Sequence, residues 1–420
     1  MTKYVILYII AVATGVAVFI SEDLTKIYAY ALLSKCYVSA RKEAEWYSPY
    51  YLINVTILSY ILYIDQLGGV FMDELEFKTK ILILSCLTAV CVGFDIAKRV
   101  PNRPSNIGGK NESFVLCFII GLLPTVISYY MFGNILNLDG ADLNEAKKEF
   151  TLPMISQLTY FLPASIVVAC KKNDSRQILT AVLFSFVAAL FTVSKTAFLI
   201  IFLFWVVSVS KFQPSIAKSR VYRNILKVKY LFVPVVLILL FMYNNNKRSA
   251  NDGDNNLDIV ERGIDLGGNN FAQNMFLNYC YYVQPWSNLN YNIYYNKKRG
   301  TWGGNTLAQF GKKVGIEINV TEKIEPTFFN THTFITDYYL DFGYLGAVIM
   351  SFFLGFFIYY CYIRFGLSDD PLLISFDILV SFATVMMFFS NHFNNGYLLN
   401  YLITFGAVSI LARHVKNRSV

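Results

Sequence analysis

A histidine and two carboxylates close together carry the strongest chemical signal in this sequence. His332 is followed five residues later by Asp337 and nine residues later by Asp341. The imidazole pKa lies nearer to neutral pH than that of any other side chain, so a positioned histidine can take a proton from a reacting hydroxyl. We therefore expect His332 to be the main catalytic group, with Asp337 or Asp341 orienting it. The structural alternative is a loop histidine that bonds a backbone carbonyl.

The same stretch marks a junction between polar and apolar sequence. Residues 330–346 follow a long polar segment and lead into an apolar run that contains Gly343 and Gly346. Glycines at this spacing let two membrane helices approach closely. A short polar turn, residues 392–396, lies between two later apolar runs and could border the same cavity. The sequence thus predicts a site where a membrane span meets water.

Composition indicates an integral membrane protein. Of 420 residues, 55% are hydrophobic and only 15% are charged, which leaves too little polar surface to cover a soluble domain of this size. The seven cysteines are scattered, and Cys and His show no metal-type spacing, so we predict no disulfide framework, no metal site and no cofactor. The acidic pairs Asp252/Asp254 and Glu22/Asp23 are better explained as polar turns than as metal ligands.

Apolar runs divide the chain into candidate membrane helices, at about 20 apolar residues per crossing. The predicted fold class is all-α, a polytopic transmembrane helical bundle of about 12 spans with a large periplasmic loop. About nine spans occupy residues 1–243, the loop covers residues 244–340, and three spans occupy residues 341–420. Residues 178–210 could alternatively form one long broken helix. The candidate spans are residues 4–20, 24–40, 49–66, 79–95, 112–133, 151–170, 178–193, 196–210, 229–243, 341–362, 371–390 and 397–412.

The basic residues set the predicted orientation. Short cytoplasmic loops of membrane proteins retain Lys and Arg, and residues 98–110 and 211–229 are the most basic short connections here. Both termini are therefore placed in the cytoplasm and the long loop in the periplasm. The net charge of +8 is attributed to contacts with anionic lipid and not to nucleic-acid binding. Within the long loop, residues 271–283 are expected to form an amphipathic helix on the membrane surface.

The residues around His332 resemble a known family pattern. Asn-Thr-His332-Thr-Phe, with Asp341 nine residues later and glycines at eleven and fourteen, resembles the His-Asn-x-x-Leu…Glu-x-Gly-x-x-Gly pattern of the bacterial O-antigen polymerase (Wzy) and O-antigen ligase superfamily. The plan of spans and one long external loop is also similar. Lys195, in Ser194-Lys195-Thr196, matches a Ser-Arg-Gly-like step of that family. This chain has Thr333 where Asn is usual, Asp341 for Glu and Lys195 for Arg.

The resemblance implies a glycosyltransferase in the bacterial inner membrane whose active site faces the periplasm. Such an enzyme joins undecaprenyl-pyrophosphate-linked oligosaccharide repeat units of O-antigen or capsule and releases undecaprenyl pyrophosphate. The implied partners are the donor and acceptor lipids, the membrane, a flippase and a chain-length regulator. Two alternatives remain open: a ligase that moves glycan to the lipid A core, and a transporter that flips the lipid-linked unit. The long loop argues against the transporter.

This chemistry needs fixed cations for the leaving pyrophosphate and a surface for the sugars. The expected cations are Lys195, Arg248, Arg262 and Arg299, and Trp302 is expected to stack against sugar rings. Three of these cations also have a structural alternative. Lys195 could snorkel to the membrane interface, Arg262 could pair with a neighbouring carboxylate, and Arg299 could belong to a solvated basic loop.

Overall fold

The computed structural model describes residues 22–43, 47–67, 74–101, 114–132, 158–191, 195–212, 270–296, 300–314, 316, 318–324, 331–394 and 401. Over these ranges the regular structure is entirely helical, which confirms the predicted all-α class. In chain order the helices are α1 Glu22–Glu43, α2 Pro49–Leu62, α3 Phe77–Ala97, α4 Phe114–Phe132, α5 Phe161–Lys172, α6 Ser175–Phe191, α7 Lys195–Phe212, α8 Asn270–Tyr294, α9 Gly304–Val314, α10 Phe334–Cys361 and α11 Pro371–Val385.

Three helical stretches in the described part are long and apolar enough to cross a membrane. They are Phe77–Ala97, Phe334–Gly366 and Pro371–Phe388. Shorter apolar helices cover Phe114–Ile127, Ser175–Ala189 and Ala197–Phe212. These lengths and compositions are those of a membrane protein. The predicted spans 4–20 and 229–243, and all of 397–412 except Tyr401, lie outside the described residues.

The start of α10 differs from the predicted span in an informative way. Helix α10 begins at Phe334, after Thr333 in an extended conformation, so it starts before the predicted boundary at residue 341. The predicted span begins at Asp341 and leaves out Asp337, which lies in the first turn of this helix. Helices α6 and α7 cover Ser175–Phe191 and Lys195–Phe212, and residues 192–194 between them lie outside the described residues.

The chain divides into two compact units. The first combines Met1–Arg103, Cys280–Arg364 and Ala383–Gly396. Within it, α3 and α10 cross at backbone contact, because a Cβ on Gly355 would lie 2.2 Å from the Val90 carbonyl oxygen and one on Gly93 would lie 2.4 Å from that of Phe352. Small residues permit such crossings between membrane helices. This pair is the framework that carries the polar end of α10.

Helix α8 contributes its second half to the same unit. The Ser59 hydroxyl of α2 donates to the Tyr282 carbonyl at 2.6 Å and accepts from the Trp286 indole at 2.9 Å. Thr79 of α3 donates to the Asn290 side chain at 2.6 Å. The helix predicted over residues 271–283 thus exists but extends to Tyr294, and its second half is buried against α2 and α3. The predicted position on the membrane surface concerned residues 271–283, most of which precede this buried half.

The second unit combines Pro104–Tyr279, Phe365–Phe382 and Tyr397–Val420. Helix α5 lies at its centre, with residues 161–170 buried, and a Cβ on Gly121 of α4 would lie 2.1 Å from the Leu162 backbone nitrogen. Asn173 ends α5 in the left-handed conformation that asparagine tolerates, and Asp174 caps α6 through the amides of Arg176 and Gln177. These local signals produce the tight α5–α6 turn.

Candidate functional site

His332 lies buried immediately before α10. Its side chain is 7% exposed, between the buried residues Thr331 and Thr333. Burial, and secondly the positive charge of Lys323, lower the pKa of His332 to about 3. The ring is therefore neutral at pH 7. A neutral imidazole accepts a hydrogen bond well, but one with so low a pKa is a poor proton acceptor.

Asp337, one turn into α10, forms a buried ion pair. Lys323 Nζ lies 2.6 Å from Asp337 Oδ1, and the side chains of Lys323 and Asp337 are 28% and 7% exposed. The other oxygen, Oδ2, accepts a hydrogen bond from Asn394 Nδ2 at 2.8 Å. Asn394 belongs to the polar turn at residues 392–396, and this hydrogen bond places it next to Asp337. The contacts of Asp337 are thus with Lys323 and Asn394, and not the orienting contact predicted with His332.

Asparagines near the end of α8 and just after it fix the segment that carries Lys323. Asn292 receives the Ile324 amide at 3.0 Å and donates to the Ile324 carbonyl at 2.9 Å, while Asn296 donates to the Glu322 carbonyl at 2.9 Å. Asn288 donates to the Thr331 carbonyl at 2.7 Å, next to His332. One helical face therefore places both Lys323 and His332.

The carboxylate of Asp341 contacts residues at the start of α9 and just before it. Its carboxylate accepts the amides of Asn305 and Thr306 at 2.8 and 2.7 Å, the Asn305 side chain at 2.8 Å and the Thr306 hydroxyl at 2.6 Å, as well as the Thr301 hydroxyl. These groups open α9, so Asp341 caps the positive end of that helix from α10. Asp341 therefore holds residues 301–306, and the catalytic role expected for it stays a prediction.

Trp302 projects from the loop that Asp341 holds. Gly343 is non-helical, with φ 68° and ψ −166°, and interrupts α10. The Leu340 and Asp341 carbonyls accept the amides of Gly300 and Trp302 at 2.9 and 3.3 Å. Trp302 itself has φ 50° and is 87% exposed. A left-handed tryptophan is strained, and its indole is presented to the surroundings rather than packed.

The predicted cations are not brought together in the described part of the chain. Lys195 is the first residue of α7, in the second unit, and its side chain is not described. Arg248, Arg262 and Arg299 lie outside the described residues. The cation that the structure does place beside His332 and Asp337 is Lys323, which the sequence analysis did not select.

The described residues contain no group of three or more His, Cys, Asp or Glu side chains that could hold a metal ion. Asp252 and Asp254 lie outside these ranges, and the side chains of Glu22 and Asp23 are not described. The metal-free reaction therefore stays a prediction.

Comparisons with known proteins give no family. Family models match no part of the chain, and searches of curated proteins and of solved structures find no similar protein.

Proposed function

We propose that this protein is a glycan polymerase that joins lipid-pyrophosphate-linked oligosaccharide repeat units of O-antigen or capsule. The observation that carries the proposal is the cluster of His332, Asp337 and Lys323 at one end of a membrane-length helix. An acceptor for a sugar hydroxyl and a cation for a phosphate are the two elements that this transfer needs. A position at the end of a span suits a substrate whose lipid lies in the bilayer and whose sugars lie in water.

In the proposed reaction, His332 accepts a hydrogen bond from the attacking sugar hydroxyl. Its neutral state at pH 7 suits that role. A positioned acceptor fixes the hydroxyl near the anomeric carbon, and such orientation accounts for a large share of enzymatic rate enhancement. Asp337 lies in the first turn of α10, within the same cluster.

Trp302 is proposed to bind the glycan. Its exposed indole has the apolar face on which a sugar ring stacks, and its strained backbone favours a binding role over a packing role. Asp341 holds the loop that carries it. In this proposal the glycan lies along residues 300–303 and the pyrophosphate lies nearer to His332.

The finer architecture belongs to the same proposal. It includes about 12 spans, a periplasmic loop over residues 244–340, a bacterial inner-membrane location and a site facing the periplasm. Lys195, Arg248, Arg262 and Arg299 are proposed as further pyrophosphate-binding cations. The proposed partners are the donor and acceptor lipids, a flippase and a chain-length regulator. Fixed cations need no divalent ion, so purified protein is expected to extend lipid-linked repeats in excess chelator.

The surface glycan of a deletion strain tests the proposal. Loss of a polymerase leaves the lipid A core with a single repeat. Loss of a ligase leaves the core bare while polymer accumulates on the carrier lipid, and loss of a flippase leaves neither product. Single-repeat core that returns to a ladder when the gene is restored supports a polymerase of O-antigen, and loss of the capsule with single repeats left on the carrier lipid supports a polymerase of capsule; any other pattern contradicts the proposal.

A further inference from the structure

Lys323 is positioned more rigidly than an ordinary loop lysine. The residues on both sides of it, Glu322 and Ile324, are bound by Asn296, two residues after α8, and by Asn292 of α8, at 2.9 to 3.0 Å. The backbone on both sides of Lys323 is therefore held by these asparagines, while its side chain contacts Asp337.

The ammonium group of Lys323 is held at the boundary between the buried cluster and its surroundings. It contacts Asp337 at 2.6 Å, yet its side chain is four times as exposed as that of Asp337, 28% against 7%. An ammonium has three donors, so contact with one carboxylate oxygen leaves capacity for a further anion. Lys323 can thus reach a ligand without movement of its backbone.

Asp337 does not depend on Lys323 alone for its orientation. Asn394 Nδ2 donates to the second carboxylate oxygen at 2.8 Å, from a different segment of the chain. A carboxylate that loses its cation in a buried site favours the protonated form, because an uncompensated buried charge is costly. Asn394 would keep such a carboxylate in place after Lys323 moved.

We propose, on the basis of the function proposed above, that Lys323 exchanges Asp337 for the pyrophosphate of the donor lipid, and that this exchange frees Asp337 to accept the proton of the attacking hydroxyl. The hydroxyl oxygen bonds the anomeric carbon while the bond from that carbon to the phosphate oxygen breaks. The electron pair leaves with the pyrophosphate, beside Lys323, and the hydroxyl proton passes to Asp337. The carboxylate is masked by its ion pair until the donor arrives.

The test measures binding of two probes, inorganic pyrophosphate and farnesyl pyrophosphate, to the full chain in lipid nanodiscs. Lys323→Met is expected to weaken binding by at least about tenfold, and Lys323→Arg by less than about threefold, since a charged contact is lost only in the first. Lys78→Met is the matched control, because Lys78 is an exposed lysine at the start of α3 in the same unit. It is expected to bind as wild type does.

Asp337→Asn gives the sharper result. Removal of the competing carboxylate should tighten binding of both probes by about threefold or more, while chain extension is lost. A purely structural ion pair predicts unchanged or weaker binding, and that outcome, in protein with wild-type thermal stability, overturns the proposal. So does wild-type protein that binds neither probe at millimolar concentration. If only farnesyl pyrophosphate shows the expected pattern, the site takes the lipid-linked form; if both probes do, it takes pyrophosphate itself.

The two proposals fail separately. If the variants show the expected binding pattern but the deletion strain has an unchanged surface glycan, the anion site is supported and the polymerase function is refuted. If Lys323→Met binds the probes as wild type does, and the deletion strain shows the single-repeat glycan, only the proposed exchange at Lys323 is refuted.

Discussion

Asp341 Oδ2 lies 2.7 Å from the backbone nitrogen of Thr306, so a carboxylate on α10 caps the first turn of α9. Thirty-five residues separate the two in sequence. The contact joins the membrane-length helix to the loop that presents Trp302. It also explains why a carboxylate is buried at the start of a span.

Replacement of Asp341 by Ala should therefore loosen residues 300–306. Several buried donors lose their acceptor at once, and we expect a loss of about 3 kcal/mol in unfolding free energy. Thermal unfolding and protease cleavage within this loop are the measurements. Asp369→Ala, at an exposed carboxylate, is the control. Wild-type stability and protease resistance in Asp341→Ala would show that the cap is dispensable.

The contrast between Asp341 and the apolar helices shows what the sequence could predict. Hydrophobic runs identified most of the described membrane helices, since burial in lipid demands only local composition. Asp341 was recognised as unusual, but its role depends on Asn305 and Thr306, which no local pattern links to it. The same holds for Lys323 and Asp337.

Three asparagines near the end of α8 were partly predictable from the sequence. Asn288, Asn292 and Asn296 recur at intervals of four residues, and this spacing predicts that they share one helical face. Their partners, Thr331, Ile324 and Glu322, lie outside any helix and show no periodic signal in the sequence. The polar stripe could have been predicted as a binding face, but not what it binds.

The close crossing of α3 and α10 gives a packing prediction. Gly355→Ala would place a Cβ 2.2 Å from the Val90 carbonyl oxygen, so the helices must separate. We expect a loss of about 1–3 kcal/mol in unfolding free energy. Thermal unfolding in nanodiscs checks it, with Leu345→Ala, a 71% exposed position on the same helix, as control. Equal stability of Gly355→Ala and wild type would contradict the crossing.

Two buried cysteines test the packing of α1 on α3. Cys36 Sγ lies 3.4 Å from Cys91 Sγ, close enough for mild oxidation to form a disulfide. We expect an intramolecular crosslink, read as a loss of two hydrogens by mass spectrometry, in protein whose other five cysteines are serine. A variant that keeps Cys36 and Cys86 is the control, since Cys86 lies about 140° around α3 from Cys91. Crosslinking in the control alone would refute this pairing.

Two histidines, His332 and His392, predict a pH dependence of stability. The pKa of His332 is lowered to about 3, so the unfolded chain binds a proton below its ordinary value of 6.5 while the folded chain does not. Stability is therefore full above pH 6.5 and falls as the pH decreases toward 3. From pH 7.5 to 5 the loss attributable to His332 is about 2 kcal/mol.

His332→Asn should flatten this part of the profile. His392, whose pKa burial lowers to about 4, adds a loss of the same sign, so the double variant with His392→Asn should be flatter still. Thermal unfolding against pH is the measurement. An unchanged slope in His332→Asn would mean that His332 is not buried in its neutral form.

The glycan ladder of a His332→Ala strain, run beside an immunoblot of the protein, tests the central claim most directly. Because His332 is proposed to hold the attacking hydroxyl, the account predicts a fall in chain extension of about 100-fold or more, with the protein at its normal level. If His332 only supported the fold, protein and ladder would decline together and His332→Gln would restore both. A full-length ladder from well-expressed His332→Ala protein would contradict the account.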